Sequence, residues 1–236
     1  MMNIDKKFTE LIEKIFNAQM KYPQDVHFGS IWCLKHGYHI RAAEAVYPLA
    51  YFAHQSKRHD YLRSSINLAN WLSARQEPYG AWIDLETEKN TTIFQLLALV
   101  LAFPLIRDSL GVLDKNGLEE SIIKASSWCL RKLKLKHLSS ESGISLAIAL
   151  HLVSDNFGID VNKKYAMKIV KRISKRLRSM GYSHNQVLGG SFGRSIEMFR
   201  FIKTNDKIDR EYSEDKNCIM PVVYQAFDEA FSFQFK

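Results

Sequence analysis

Residues 41–53 read RAAEAVYPLAYFA, residues 58–76 RHDYLRSSINLANWLSARQ, residues 77–84 EPYGAWID and residues 90–102 NTTIFQLLALVLA. In the first run Val46, Leu49, Ala50 and Ala53 recur at helical spacing, and in the second Leu62, Ile66, Ala69 and Leu72 do so. Each pattern predicts an amphipathic helix with one buried face. Asp60 stands where the N-cap of the second helix is expected. Pro48 falls inside the first helix, about two turns from its start, where the missing N–H predicts a kink. After the Tyr79-Gly80 turn, the apolar run 96–105 is too short to span a bilayer and is interrupted by Pro104, so it predicts a buried helix. Two helices joined by a few residues, then a glycine-aromatic loop and a third helix, predict successive helical hairpins.

The same rhythm extends both ways. Upstream, Phe8, Leu11, Ile12, Ile15 and Phe16 form another stripe, and downstream helices are expected over about 92–107, 115–135, 143–153 and 161–180. Turn-like residues separate them at Gly111, 139–142 and 158–160. Short strand candidates occur only near Trp82 and over 187–192, so an all-α fold is favoured over a mixed sheet. Past Met180 the character changes: Gly181, Gly189, Gly190 and Gly193 alternate with Tyr182, His184, Asn185, Phe192 and Arg194. In a helical protein so long a polar, aromatic loop is a candidate for function.

Composition sets outer bounds. With 46% apolar and 25% charged residues the chain fits an ordinary globular protein, and 1–236 is read as a single domain. Cysteines 33, 129 and 218 show no short paired spacing, which argues against a disulfide framework and for a reducing compartment. The N-terminal MMNIDKKFTELIEKIFNAQ lacks the continuous apolar core of a signal peptide. The expected location is therefore cytoplasmic, or exported if a further segment precedes it. No phosphate-binding glycine loop, nucleophile elbow or paired cysteine motif occurs, which removes nucleotide hydrolysis, esterase chemistry and zinc fingers. Cys33, His36 and His39 are spaced like metal ligands but lack a second Cys-His segment, so no metal and no cofactor are expected. Much of the +8 net charge lies between Lys163 and Arg178, opposite the stripe Ala166, Ile169, Val170, Ile173 and Leu177. Those cations read as a solvated face. Without a reading motif or interleaved aromatics, nucleic acid is not the expected partner, and neither is a membrane.

The order of a small-residue helix containing Tyr47-Pro48, a helix ending near Trp71, and the loop Tyr79-Gly80-Ala81-Trp82-Ile83-Asp84 resembles one repeat of an (α/α) toroid. Polysaccharide lyases, including heparinase-like ones, and unsaturated-glycan hydrolases are built this way. The resemblance implies an incomplete toroid, because six hairpins of roughly 40–50 residues each exceed this chain. A partial ring would expose apolar helix faces to a second copy or to a missing toroid half. In those enzymes the segment before the Tyr-Pro helix carries His-Gly followed by Asp or Arg facing the cleft, and His36-Gly37 and Arg41 occupy matching places.

The candidate site follows from what sugars need. Their flat apolar faces stack on aromatic rings, their hydroxyls take paired donors and acceptors, and acidic glycans also need cations. Trp32, Tyr38, His39, Arg41, Tyr79, Trp82, Asn185 and Arg194 are the candidate substrate-binding residues, and His36, Asp84, Tyr182 and His184 are the expected catalytic ones. Among them Trp82, an aromatic after a glycine turn, reads more readily as the plug of its hairpin than as a stacking platform. A lyase acting on a uronic acid needs a group to neutralise the carboxylate, a base for the C5 proton and an acid for the leaving oxygen. A hydrolase needs two carboxyl groups roughly 5–10 Å apart, for which Asp84, Glu44 and Glu197 are the candidates. The expected function is binding and cleavage of an acidic oligo- or polysaccharide by one of these routes. The alternative is a non-catalytic helical-repeat scaffold in which the aromatics are core and the partner is a protein.

Overall fold

Every residue from Thr91 to Val100 is buried, so the most apolar stretch of the chain forms a helix enclosed on all sides. The computed structural model describes residues 4–33, 36–84 and 88–179. Seven α-helices are described: α1 Ile4–Asn17, α2 Val46–Ser56, α3 His59–Ser73, α4 Glu88–Ile106, α5 Val112–Lys132, α6 Ser140–Phe157 and α7 Asp160–Ser179. Two strands of two residues, β1 Trp32–Cys33 and β2 Gly37–Tyr38, pair antiparallel with Trp32 opposite Tyr38 and Cys33 opposite Gly37. The fold is all-α. The segment 89–109 is long and apolar enough to cross a membrane by composition, and α4 instead packs against α2 and α5 as the core helix.

The chain forms two compact units: residues 1–133 with 155–158, and the remainder. In the first, α2 folds back on α3 through Lys57, which adopts the left-handed conformation (φ 56) and closes the helix. α2 also packs on α4, α3 packs on α5, and α4 packs on α5. Thus the first helix of each hairpin touches the first helix of the next, and the second touches the second, as in stacked helical repeats. In the second unit Asn162, Ala166 and Ile169 are buried at helical spacing on α7, while Lys164, Lys168, Lys171 and Arg172 are exposed. The expected solvated basic face is present on the described part of that helix.

The buried faces of α2 (Val46, Leu49, Ala50, Ala53) are those the periodicity predicts. On α3 the buried face is rotated: Tyr61, Ser64, Ser65, Leu68, Ala69, Trp71 and Leu72 are buried, whereas Leu62 and Ile66 are only partly so. Small hydroxyls let α3 approach its neighbours closely, and Ser65 donates to the Val46 carbonyl at 2.9 Å. Pro48 differs from expectation. Residues 40–45 form a 3₁₀ turn and the α-helix begins at Val46, which puts Pro48 in its first turn, where its missing N–H has no intrahelical partner to lose. Asp60 is not the N-cap of α3, a place taken by Arg58. It lies in the first turn, accepting from the Tyr61 N–H at 3.0 Å and from Arg58. The segment around Trp82 is not a strand, because its N–H goes to the Thr92 hydroxyl at 3.0 Å instead of to a neighbouring strand.

Candidate functional site

The loops that carry the candidate residues are held by a repeated clasp. The Gln19 side-chain amide donates to the carbonyls of Gly29 and Ser64, both at 2.8 Å. The Gln76 amide donates to the carbonyls of Gly80 (3.0 Å) and Ser121 (2.9 Å). The backbone repeats the pattern: Met20 N–H to Ser30 and Gly29 N–H to Met20 in one loop, Glu77 N–H to Ala81 and Gly80 N–H to Glu77 in the other. Both glycines have positive φ, 85° and 101°. A Cβ on Gly29 would lie 2.3 Å from the Asn67 carbonyl oxygen, and one on Gly80 would lie 2.4 Å from that of Lys124. Each loop is therefore pressed onto a later helix, α3 or α5, at a point only glycine fits.

After the glycine the two loops stay in step. Ser30 and Ala81 are fully buried, Ile31 and Trp82 are buried next, and Trp32 and Ile83 then stand 48% and 51% exposed. This alignment decides the role of Trp82. It occupies the buried position, wholly enclosed, with its indole N–H donating to the Leu72 carbonyl at 2.9 Å. Trp82 is therefore corrected as a substrate-binding candidate: its ring has no open face and it fixes the hairpin, the packing role its place after the glycine turn favours. Tyr79 is exposed on the turn beside Gly80.

The short β1–β2 hairpin carries the aromatic side chains. Trp32 meets Tyr38 edge-on at 5.0 Å between ring centroids, and Tyr38 stacks on His27 at 4.3 Å and 17°. His36 is exposed and lies edge-on to His39 at 5.7 Å. His39 is extended and leads directly into the turn 40–45. Asp84, only 8% exposed, joins this hairpin to the second loop. Its Oδ2 accepts the Arg41 backbone N–H at 2.5 Å and contacts His39 Nδ1 at a longer 3.4 Å. The Arg41 guanidinium lies 3.8 Å from Glu44 and remains 38% exposed.

Trp32, His36, Tyr38, His39, Arg41 and Asp84 are thus brought together from two loops about 45 residues apart in sequence. Tyr182, His184, Asn185 and Arg194 lie outside the described residues. No group of three or more metal-ligating side chains occurs among the described residues. Sequence reasoning missed the two glutamine clasps and Ile83. The clue was available in the parallel of Gln19 with Gln76 and Gly29 with Gly80. The chemistry available is a histidine beside a carboxylate, the part-exposed guanidinium of Arg41, whose backbone holds that carboxylate, and a half-exposed indole.

Residues 8–229 match the family model of the ulvan lyase N-terminal domain. A search of curated proteins found no match.

Proposed function

Because the chain belongs to the ulvan lyase N-terminal domain family, we propose that it binds an acidic polysaccharide and cleaves it by elimination. The binding face comprises Trp32, Tyr38, His36, His39, Arg41 and Asp84. The observation that carries this reading is the Asp84 carboxylate, which gathers Arg41 and His39 beside the aromatic hairpin. A uronate-bearing chain presents what such a face can use. Its sugar ring offers C–H surface to Trp32, its carboxylate pairs with a guanidinium such as that of Arg41, and its acidic C5 proton is open to a histidine base. The stacking of α2 on α4 and of α3 on α5 supports the course of an (α/α) toroid, in which such loops gather at one end of the ring. Tyr182, His184, Asn185 and Arg194 remain candidates from the sequence alone.

The test is incubation of the purified protein with ulvan, a second uronate-rich polysaccharide and a neutral one, read by ultraviolet absorbance and by mass spectrometry of the products. Elimination leaves an unsaturated uronate at the new non-reducing end, and only the acidic substrates should give it. Saturated products carrying an added water would replace the lyase reading with a hydrolase. Absence of both binding and cleavage would favour the scaffold.

A further inference from the structure

Asp84 and His39 enter the site with their chemistry undivided, since either a carboxylate or an imidazole can serve as base. The geometry points to a division of labour: His39 is the catalytic base and Asp84 is its positioning residue. This rests on the lyase reading above and assigns the proton transfer within it.

A carboxylate oxygen can only accept hydrogen bonds. Oδ2 of Asp84 already takes the Arg41 backbone N–H at 2.5 Å, while the His39 and Asp84 side chains are similarly enclosed, 10% and 8% exposed. Burial does not separate the two groups; the occupied oxygen does, since an Oδ2 already engaged by a backbone N–H is the poorer base. Because the same oxygen faces Nδ1 of His39, neutral His39 carries its proton on Nδ1 and keeps the lone pair on Nε2. A ring held in that tautomer is set up as a base. His39 also stands between a residue of the β1–β2 hairpin and the start of the 40–45 turn, so its backbone is fixed on both sides. The groups against its ring are Asp84 from the loop before α4 and His36 from the hairpin, and the charged side chains of the turn that follows it are Arg41 and Glu44, paired with each other.

In the step itself, Nε2 of His39 takes the uronate C5 proton. The C–H electron pair forms the C4=C5 double bond as the C4–O bond breaks. The departing oxygen takes a proton from water, and the imidazolium returns its own to solvent. Asp84 stabilises that imidazolium while it lasts, through a contact already in place before reaction.

The experiment compares wild type, His39→Ala, His36→Ala, Asp84→Ala, Asp84→Asn and the His39→Ala/Asp84→Asn double variant. Steady-state lyase kinetics are measured alongside nitrogen-15 NMR of the histidine rings in the free protein. His39→Ala should lower kcat about 100-fold or more with KM nearly unchanged, the size expected for loss of a general base, and His36→Ala should lower it far less. Asp84→Ala should also lower kcat and should let His39 relax from the Nδ1–H tautomer. Asp84→Asn keeps an acceptor oxygen for Arg41 but loses the charge, so it should recover part of the activity and hold the tautomer. It also keeps the test open should Asp84→Ala fail to fold. The double variant should be little slower than His39→Ala alone, because the two residues act as one unit. An active protein in which His39→Ala keeps its kcat, or in which His36→Ala is the variant that fails, overturns the assignment and leaves the lyase reading intact. A wild type that cleaves no acidic polysaccharide removes the base assignment with that reading. The positioning role is then judged on the tautomer alone, and a His39 protonated on Nε2 in the wild type refutes it.

Discussion

Replacing Gly80 by alanine should unfold the protein more readily, and by an amount that the structure divides into two parts. Gly80 has φ 101°, and a Cβ there would sit 2.4 Å from the Lys124 carbonyl oxygen and 2.7 Å from its carbon. The conformational part is about 1–2 kcal/mol for an L-residue forced into positive φ. The steric part requires α5 or the loop to move by about an ångström, and overpacking of that kind costs about 1–3 kcal/mol. The expected loss is therefore about 2–5 kcal/mol.

Two further glycines separate these parts. Gly158 has φ 68° but nothing within 4 Å of the added carbon, so Gly158→Ala should show the conformational cost alone. Gly117 lies inside α5 with open space around it, and Gly117→Ala should stabilise by about 1 kcal/mol, the helix-propensity difference. Gly29→Ala should match Gly80→Ala, since its Cβ meets Asn67 in the same way. The assay is urea unfolding followed by tryptophan fluorescence, with slopes compared as well as midpoints. All four tryptophans, at 32, 71, 82 and 128, lie in the first compact unit and report on it directly. If Gly80→Ala is no less stable than Gly158→Ala, the close approach of loop to α5 is refuted.

The remaining expectations concern the supports of the site. Gln76→Leu removes two hydrogen bonds and strands the carbonyls of Gly80 and Ser121, so denaturant unfolding should show a loss of about 2 kcal/mol, with Gln19→Leu similar. Tyr61 donates to Glu13 and accepts from Arg58, and burial first, then the Glu13 hydrogen bond, pushes its phenol up to about 12. A raised folded value means that the stabilisation is fully present below pH 10, the ordinary tyrosine value, and is lost as pH rises through about 12. Tyr61→Phe should flatten that alkaline stretch of the stability curve, measured by denaturant titration from pH 9 upward. Burial also pushes the Cys129 thiol well above its ordinary value. Iodoacetamide should alkylate half-buried Cys33 in the native protein and leave Cys129 unmodified until denaturant is added, as read by peptide mapping.

Much of the helical framework was legible because it is written in side-chain spacing. Val46, Leu49, Ala50 and Ala53 announce their buried face, and the uninterrupted run on α4 announces burial all round. Pro48 misled because spacing cannot distinguish a 3₁₀ turn from the α-helix it becomes, and the two share a continuous apolar face. The rotated face of α3 was hidden for a related reason, since Ser64 and Ser65 are polar by composition yet satisfied by Gln19 and the Val46 carbonyl. At the candidate site, residue types singled out 36–41 and 84, which the fold brings together. The glycine turn before Trp82 favoured a packed ring, but residue type alone kept it among the binding candidates, because an indole whose N–H finds a carbonyl inside the protein is as good a core residue as a platform. Residue types could not show that Asp84 reaches Arg41 and His39 across 43 to 45 residues of sequence.

The contrast between the two clasped loops argues where chemistry can be placed on such a framework. What repeats is the scaffold: the glutamine, the glycine pressed on a helix carbonyl, the buried small residue and the buried large one. The glutamine-to-glycine span is ten residues in the first loop and four in the second, so the clasp tolerates insertion between its fixed points. Past the half-exposed Trp32 and Ile83 the correspondence ends. Cys33 continues into a strand pairing, whereas its counterpart Asp84 turns a carboxylate toward the first loop's own continuation, at His39 and Arg41. The aromatic and charged side chains that gather at the site therefore sit at or just beyond the last repeated position. There a substitution changes the exposed face without disturbing the hydrogen bonds that hold the loop. On this argument, exchanging Ile83 for the tryptophan found at its counterpart, Ile83→Trp, should leave stability within about 0.5 kcal/mol, as expected for a surface change. The same exchange at the buried neighbour, Trp82→Ile, should destabilise by at least the several kcal/mol typical of emptying a large core site.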